Sequence, residues 1–262
     1  MNPTSYHPEA LKEYPYPLFD IISKLRYIYR YASFNEMHCR CSVYFHAHVK
    51  LPALVIASHE EIQKIWSISQ KKCIFMASLH DDCASDPSIG DIPLHTKLLA
   101  SAQEKKIMEQ THDKVLRKLC AMYGYVSLGR YKYGDLLIEA SEKKSVESQF
   151  VSYLDKIDGL CEAMHELLHH NNAFLEPVMN YLIHTFSEKY LYDAYPDLTQ
   201  LFKRSRHPFF TIHKKVITYS ATTENLTRNE IQKTGIEFYD TWREILDATR
   251  DGRKYLRGQS NW

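Results

Sequence analysis

Apolar residues recur at spacings of three and four along most of the chain, the period of helices packed on a shared core rather than of strands. The pattern predicts helices at about 17–32, 35–50, 57–69, 72–82, 94–124, 144–170, 173–192, 195–204 and 225–250. Within 144–170, Leu154, Ile157, Leu160, Cys161, Met164 and Leu168 share one face, whereas Asp155, Asp158, Glu162 and Glu166 share the other. Taken alone, that wheel describes a helix with one core face and one solvated face. Candidates for extended structure are Lys215–Tyr219 and the Tyr/Gly-rich stretch Tyr123–Tyr133, neither long enough to organise a sheet. With only eight glycines in the chain, the expected fold class is all-α. Asn171-Asn172 reads as a break between helices, and Pro177 suits a first helical turn. Turn signals at Tyr195-Pro196-Asp197 and His207-Pro208 set the last segment apart. The expected organisation is therefore a domain over 1–189 with 190–262 as a C-terminal helical extension packed on it.

Composition narrows the function classes. The 262 residues are 44% hydrophobic, ample for a buried core. Lysine plus arginine (33) nearly cancel aspartate plus glutamate (32), so no overall field attracts a nucleic acid polymer or an anionic membrane. An anionic ligand must be caught by a local cluster. No apolar run approaches the ~20 residues that span a bilayer, and the opening MNPTSYHPEALKEYPYP lacks a charged region followed by an apolar one, so a cytoplasmic location is expected. Six scattered cysteines without a CxxC pair suit reduced thiols. Neither GxGxxG nor GxxxxGK[ST] occurs, which removes the usual dinucleotide and P-loop routes to a nucleotide. Basic and aromatic residues alternate over Lys24–Tyr31; at near-zero net charge this suits a pocket wall and helix packing better than a nucleic-acid platform.

Among fourteen histidines, His80 stands out because His80-Asp81 closes the apolar segment Cys73–Leu79. That context carries an imidazole and a carboxylate inward on successive residues, an expensive burial that a metal ion would compensate. Glu162-x-x-His165 and Glu166-x-x-His169 have di-iron spacing, but both copies lie on one helix and read as a charged, partly exposed face. His112-Asp113, set among Lys105, Lys106, Glu109, Lys114 and Arg117, reads as surface; His95 and His112 would serve only a two-metal variant. His46-Ala47-His48 reads as core or supporting histidines, with a ligand role as the alternative.

The string His80-Asp81, an acid, then Gly90-Asp91-Ile92-Pro93-x-x-x-Lys97 resembles the YfbR-like 5'-deoxyribonucleotidases of the HD-domain superfamily, in which HD is followed by a Glu and then GDLPxxxK. Upstream, Phe34-Asn35-Glu36-Met37-His38 is similar to the family's N-x-x-EH segment. Downstream, Leu154 through Asn171-Asn172 resembles the helix that bears the last metal aspartate and ends in a GNN turn; a gapless count back from the asparagines selects Asp155 over Asp158. The resemblance spans about residues 20–185. It departs from the pattern in three places: two extra residues make Asp86 the acid five before Asp91 where relatives have Glu, His170 replaces the turn glycine, and Met37 separates Glu36 from His38.

The resemblance implies an HD-domain helical bundle with one divalent metal ion (Mn, Co or Mg, with Zn or Fe also suited) on His38, His80, Asp81 and Asp155. It further implies that Asp91 orients or deprotonates water and that Asp86 protonates the leaving oxygen. Arg26, Tyr27 and Lys97 would hold the phosphate and sugar, Arg26-Tyr27 resembling the relatives' Arg-Trp pair. The implied reaction is hydrolysis of the 5'-phosphate of a (deoxy)nucleoside monophosphate, a small-molecule partner; homo-oligomerisation is left open. Two alternatives remain. An HD triphosphohydrolase acting on dNTPs should bring more cations to its pocket than Arg26, Arg30 and Lys97, and a non-catalytic nucleotide-binding HD protein should have lost a ligand.

Overall fold

The computed structural model describes residues 18–34, 36–63, 67–185, 193–198, 204, 206–209 and 228–258. Lys215–Tyr219 and residues 199–203 of the helix expected over 195–204 lie outside them. Helices carry the described fold: α1 (Phe19–Leu25), α2 (Val43–Phe45, a π turn His46–Lys50, then Leu51–Gln63) and α3 (Gln70–Leu79). A 3-10 turn (Asp82–Ser85) leads to α4 (Leu94–Leu99), α5 (Ala102–Tyr123), α6 (Tyr133–Glu142) and α7 (Val146–Leu168). Then come α8 (Leu175–Asn180, continued by a π turn Tyr181–Thr185), α9 (Arg228–Asp247) and α10 (Arg250–Leu256). The described strands are the hairpin β1 (Ser127–Leu128) and β2 (Tyr131–Lys132), turned at Gly129 in the left-handed region (φ +66°). An all-α architecture is thus what the structure shows.

Two differences from the sequence expectation shape the site. The helix expected from 35 starts only at Val43, where the Ser42 hydroxyl accepts the Phe45 N–H and Ser42 bridges to Tyr29 in extended conformation. From there α2 runs through the expected break to Gln63. Its π turn sits immediately before Pro52, whose missing N–H and ring disfavour the regular ladder, and the Leu51 N–H reaches back to the His46 carbonyl. Second, α6 was not anticipated. Its buried Tyr133, Leu136, Leu137 and Ala140 follow helical spacing, and it closes on Lys143 in the left-handed conformation (φ +54°).

Helix α7 is the axis of the bundle, packed by α2, α3 and α6 and by α8 and α9. Its supposedly solvated face is therefore buried: Asp158, Glu162 and Glu166 are all 0% exposed. Internal partners offset a desolvation cost of several kcal/mol per unpaired charge. Glu162 meets Lys50 at 3.1 Å and Arg30 at 3.3 Å, and Glu166 accepts the backbone N–H groups of His38 and Cys39. His165 lies between the Tyr239 hydroxyl (2.7 Å) and the Cys39 Sγ (3.1 Å). Of the ExxH face expected to be partly exposed, Glu162, His165 and Glu166 are core, where α9 packs Tyr239 and Trp242 beside His165, while His169 at the helix end is exposed. Gly235 permits that approach; a Cβ there would stand 2.7 Å from the Met164 sulfur. No described helix is long and apolar enough to cross a membrane.

Candidate metal centre and active site

The π turn of α2 supplies His46, the C-terminal end of α3 supplies His80 with Asp81 next to it, and α7 supplies Asp155. The Nε2 atoms of His46 and His80 are 3.3 Å apart. Asp81 Oδ2 lies 3.2 Å from His80 Nε2 and 3.7 Å from His46 Nε2, and Asp155 Oδ1 lies 3.8 Å and 3.1 Å from the same two atoms. Each ring is fixed from behind. His46 Nδ1 donates to Asp158 Oδ2 at 2.7 Å, and His80 Nδ1 donates to the Ala77 carbonyl at 2.8 Å. With both Nδ1 hydrogens committed, the neutral rings would offer both Nε2 lone pairs to a cation; the ligand atoms of His46, His80 and Asp81 lie within 4.8 Å of one another, and Asp155 faces both rings.

That donor set fits a divalent cation, two imidazoles and two carboxylates carrying a combined charge of about −2. Without a cation the site gathers a proton instead. Burial opposes a charged His80, yet Asp81 and Asp155 raise it to about 10. Burial likewise opposes ionisation of Asp155, but Lys156 and the two histidines hold it well below the usual carboxylate range.

Of the four residues expected to hold the metal, the structure brings His80, Asp81 and Asp155 together and leaves His38 apart. His38 is not in the cluster: it precedes α2, gives its N–H to Glu166 and sets its ring 5.9 Å from that of His169. His46 stands where His38 was expected, because the helix begins eight residues later than its apolar pattern suggested. The displaced Glu36-Met37-His38 spacing and the neighbouring His46-Ala47-His48 were the available signals.

A cavity of about 770 Å³ opens beside the cluster, lined by His80, Asp81, Asp91, Lys97, Lys143 and Asp155 among others. Asp91 accepts the Tyr31 N–H at 2.8 Å, and burial raises its pKa. Asp86 is absent from the lining. Its carboxylate faces Lys118 Nζ at 2.9 Å and the Ser88 hydroxyl and N–H, which together hold it at about 2. Asp82 is buried behind the site, where desolvation pushes it up to about 7 and the Tyr133 hydroxyl donates to it. Arg26 and Tyr27 also lie off the cavity, Arg26 stacked over Tyr44 and Tyr27 80% exposed.

Of the expected phosphate residues Lys97, from α4, lines the cavity, and two cations that the sequence did not single out join it: Lys143, the left-handed residue after α6, and Lys156 from α7, where it pairs with Asp155. Crowding by protein and by Lys156 pushes Lys143 down to about 8 and lowers Lys97 as well. His112, expected on the surface, is half-buried and lines the same cavity.

A helical bundle that sets a His-Asp dipeptide at a helix end, against a histidine and an aspartate from two other helices, defines an HD-type protein. The family model described as 5'-deoxynucleotidase YfbR-like matches residues 17–189, and the chain belongs to that family. HD-type families generally hold a divalent metal, and the ligand atoms of His46, His80 and Asp81 lie within 4.8 Å of one another. Comparison with curated proteins and with solved structures found no match.

Proposed function

We propose that the chain hydrolyses the 5'-phosphate of (deoxy)nucleoside monophosphates in the cytoplasm, using one divalent metal ion held by His46, His80, Asp81 and Asp155. The observation that carries this reading is the gathering of His46, His80 and Asp81, with Asp155 against both imidazoles, at the wall of a cavity that also holds lysines. A divalent ion there, with Mn, Co or Mg best suited to the mixed N/O set, supplies Lewis acidity to a phosphate oxygen and acidifies water. Asp158 and the Ala77 carbonyl keep the two imidazoles in the ligating tautomer. Asp91, anchored by the Tyr31 N–H, takes the proton of the attacking water. The P–O5' bond then breaks, and the 5'-oxygen takes a proton from the lysine wall, where Lys143 gives one up near neutral pH. Lys97 faces the phosphate oxygens.

Charge favours a monophosphate over a triphosphate. The cavity lining holds Lys97, Lys105, Lys143 and Lys156 against Asp81, Asp91, Glu109, Asp113 and Asp155. With a divalent ion that leaves a small positive excess, suited to a monoester dianion rather than to a tetra-anion. The test is a phosphate-release screen of the metal-stripped chain with Mn, Co or Mg added, across dNMPs, NMPs and dNTPs. Orthophosphate from monophosphates only when metal is present is the expected result. Tripolyphosphate from dNTPs would move the chain to the triphosphohydrolases, and no release from any nucleotide would sink the reading.

A further inference from the structure

The last ligand-supporting contact of the site comes from outside the family's matched segment. Trp242 lies on α9, more than fifty residues beyond position 189, and its indole Nε1–H donates to Asp158 Oδ1 at 2.6 Å. The other oxygen of that carboxylate accepts from His46 Nδ1 at 2.7 Å and faces Lys50 Nζ at 2.9 Å. Lys50 in turn sits 5.5 Å from the Trp242 ring centroid and 5.0 Å from that of Tyr255 on α10. His46, Lys50, Asp158, Trp242 and Tyr255 are all 0% exposed. Water cannot substitute for any of these partners without opening the core.

We infer that Trp242 is a positioning residue for the metal centre, and that the C-terminal helix α9 is a working part of the site. The inference rests on the reading of His46 as a metal ligand. A carboxylate pinned at one oxygen can rotate, and Lys50 competes with His46 for Oδ2. The indole N–H fixes Oδ1 and so holds Oδ2 where His46 Nδ1–H can reach it. Removing the indole donor leaves Oδ1 buried without that partner. The carboxylate then turns toward Lys50, His46 is released to rotate or to carry its hydrogen on Nε2, and the ligating lone pair is lost. Coupling of this kind is reciprocal: metal held at His46 must also stabilise the docked α9.

The test uses the full-length chain, stripped of metal and titrated with Mn²⁺ alone. Trp242→Phe keeps an aromatic ring near Lys50 but deletes the donor together with part of the indole; its Mn²⁺ dissociation constant should rise by roughly the 10–100-fold typical of losing such a supporting hydrogen bond. Tyr255→Phe is the comparison, since the Tyr255 hydroxyl donates to the Cys39 carbonyl in the same buried cluster and does not touch Asp158. It should lower thermal stability and leave the Mn²⁺ constant within about 2-fold of wild type, by the ordinary independence of unlinked contacts. Should Trp242→Phe fail to fold, hydrogen exchange on the wild-type chain decides: Mn²⁺ should slow exchange in peptides covering Arg228–Asp247. Equal Mn²⁺ affinity in Trp242→Phe and wild type, or no protection of α9 on metal addition, overturns the inference. A wild-type chain that binds no divalent ion instead defeats the metal reading itself, a distinguishable result.

Discussion

His46 Nε2 faces His80 Nε2 at 3.3 Å while each ring gives its Nδ1 hydrogen to a buried acceptor. Two lone pairs held that close, beside two carboxylates, need positive charge between them. Alanine at His80 or at Asp81 should therefore abolish divalent-metal binding and phosphate release together while far-UV circular dichroism stays near wild type. A His80→Ala chain that still takes up one equivalent of Mn²⁺ and turns over normally would show that the dipeptide is structural.

Asp91 and Asp86 should separate cleanly. Asp91→Asn keeps the shape that receives the Tyr31 N–H but removes the basic oxygen, so turnover at saturating metal should fall by roughly the 10²–10⁴-fold typical of losing a general base. Asp86→Asn breaks an ion pair with the exposed Lys118, a contact worth only about 0–1 kcal/mol, and turnover should stay near wild type. Steady-state rates measured with metal content checked in each variant decide it. Loss of turnover in Asp86→Asn with metal retained would mean that the loop after His80 swings Asp86 into the cavity.

The buried histidines make the fold acid-sensitive. Burial, with His169 and Lys50 nearby, pushes His165 down to about 3, whereas an unfolded histidine titrates near about 6.5. Between those values the unfolded chain binds the extra proton, so stability is lost as pH falls through that window and is flat with respect to His165 above it. His48, pushed down to about 4 by burial and by His80, adds in the same direction. Urea unfolding from pH 7.5 to 4 should show falling stability below about pH 6.5. A His165→Gln chain should start lower, having lost the fit between Tyr239 and Cys39, and fall less steeply. An unchanged slope in His165→Gln would mean that the imidazole titrates normally in the folded chain.

What was legible in the sequence follows the range of the forces involved. The His80-Asp81 pair sits at the end of a short apolar helix whose capping serine, Ser69, is local, so α3 and its exit could be read from a dozen residues. Asp155 emerged from a count along one uninterrupted helix, and the structure sets it against both imidazoles, with Asp158 behind His46. The first histidine was not legible. The start of α2 depends on the Tyr29–Ser42 bridge and on a π turn ahead of Pro52, features that no helical wheel contains. The polar face of α7 was misread for a similar reason: an amphipathic pattern says which residues differ, and only packing by α2 and α9 says that both faces are inside. Asp86 shows the limit of motif spacing: its count to Asp91 suits the expected role, yet its carboxylate faces Lys118 and is absent from the cavity lining.

Which histidine completes the metal centre is decided most directly by Mn²⁺ stoichiometry with phosphate release from dNMPs in His46→Ala and His38→Ala chains. Wild type should hold one equivalent and release phosphate only when metal is present. His38→Ala should retain both properties, because its side chain lies beside His169 and away from the cluster. His46→Ala should lose both while remaining helical. A His46→Ala chain that keeps its metal and its turnover, with His38→Ala losing them, would contradict the site described here.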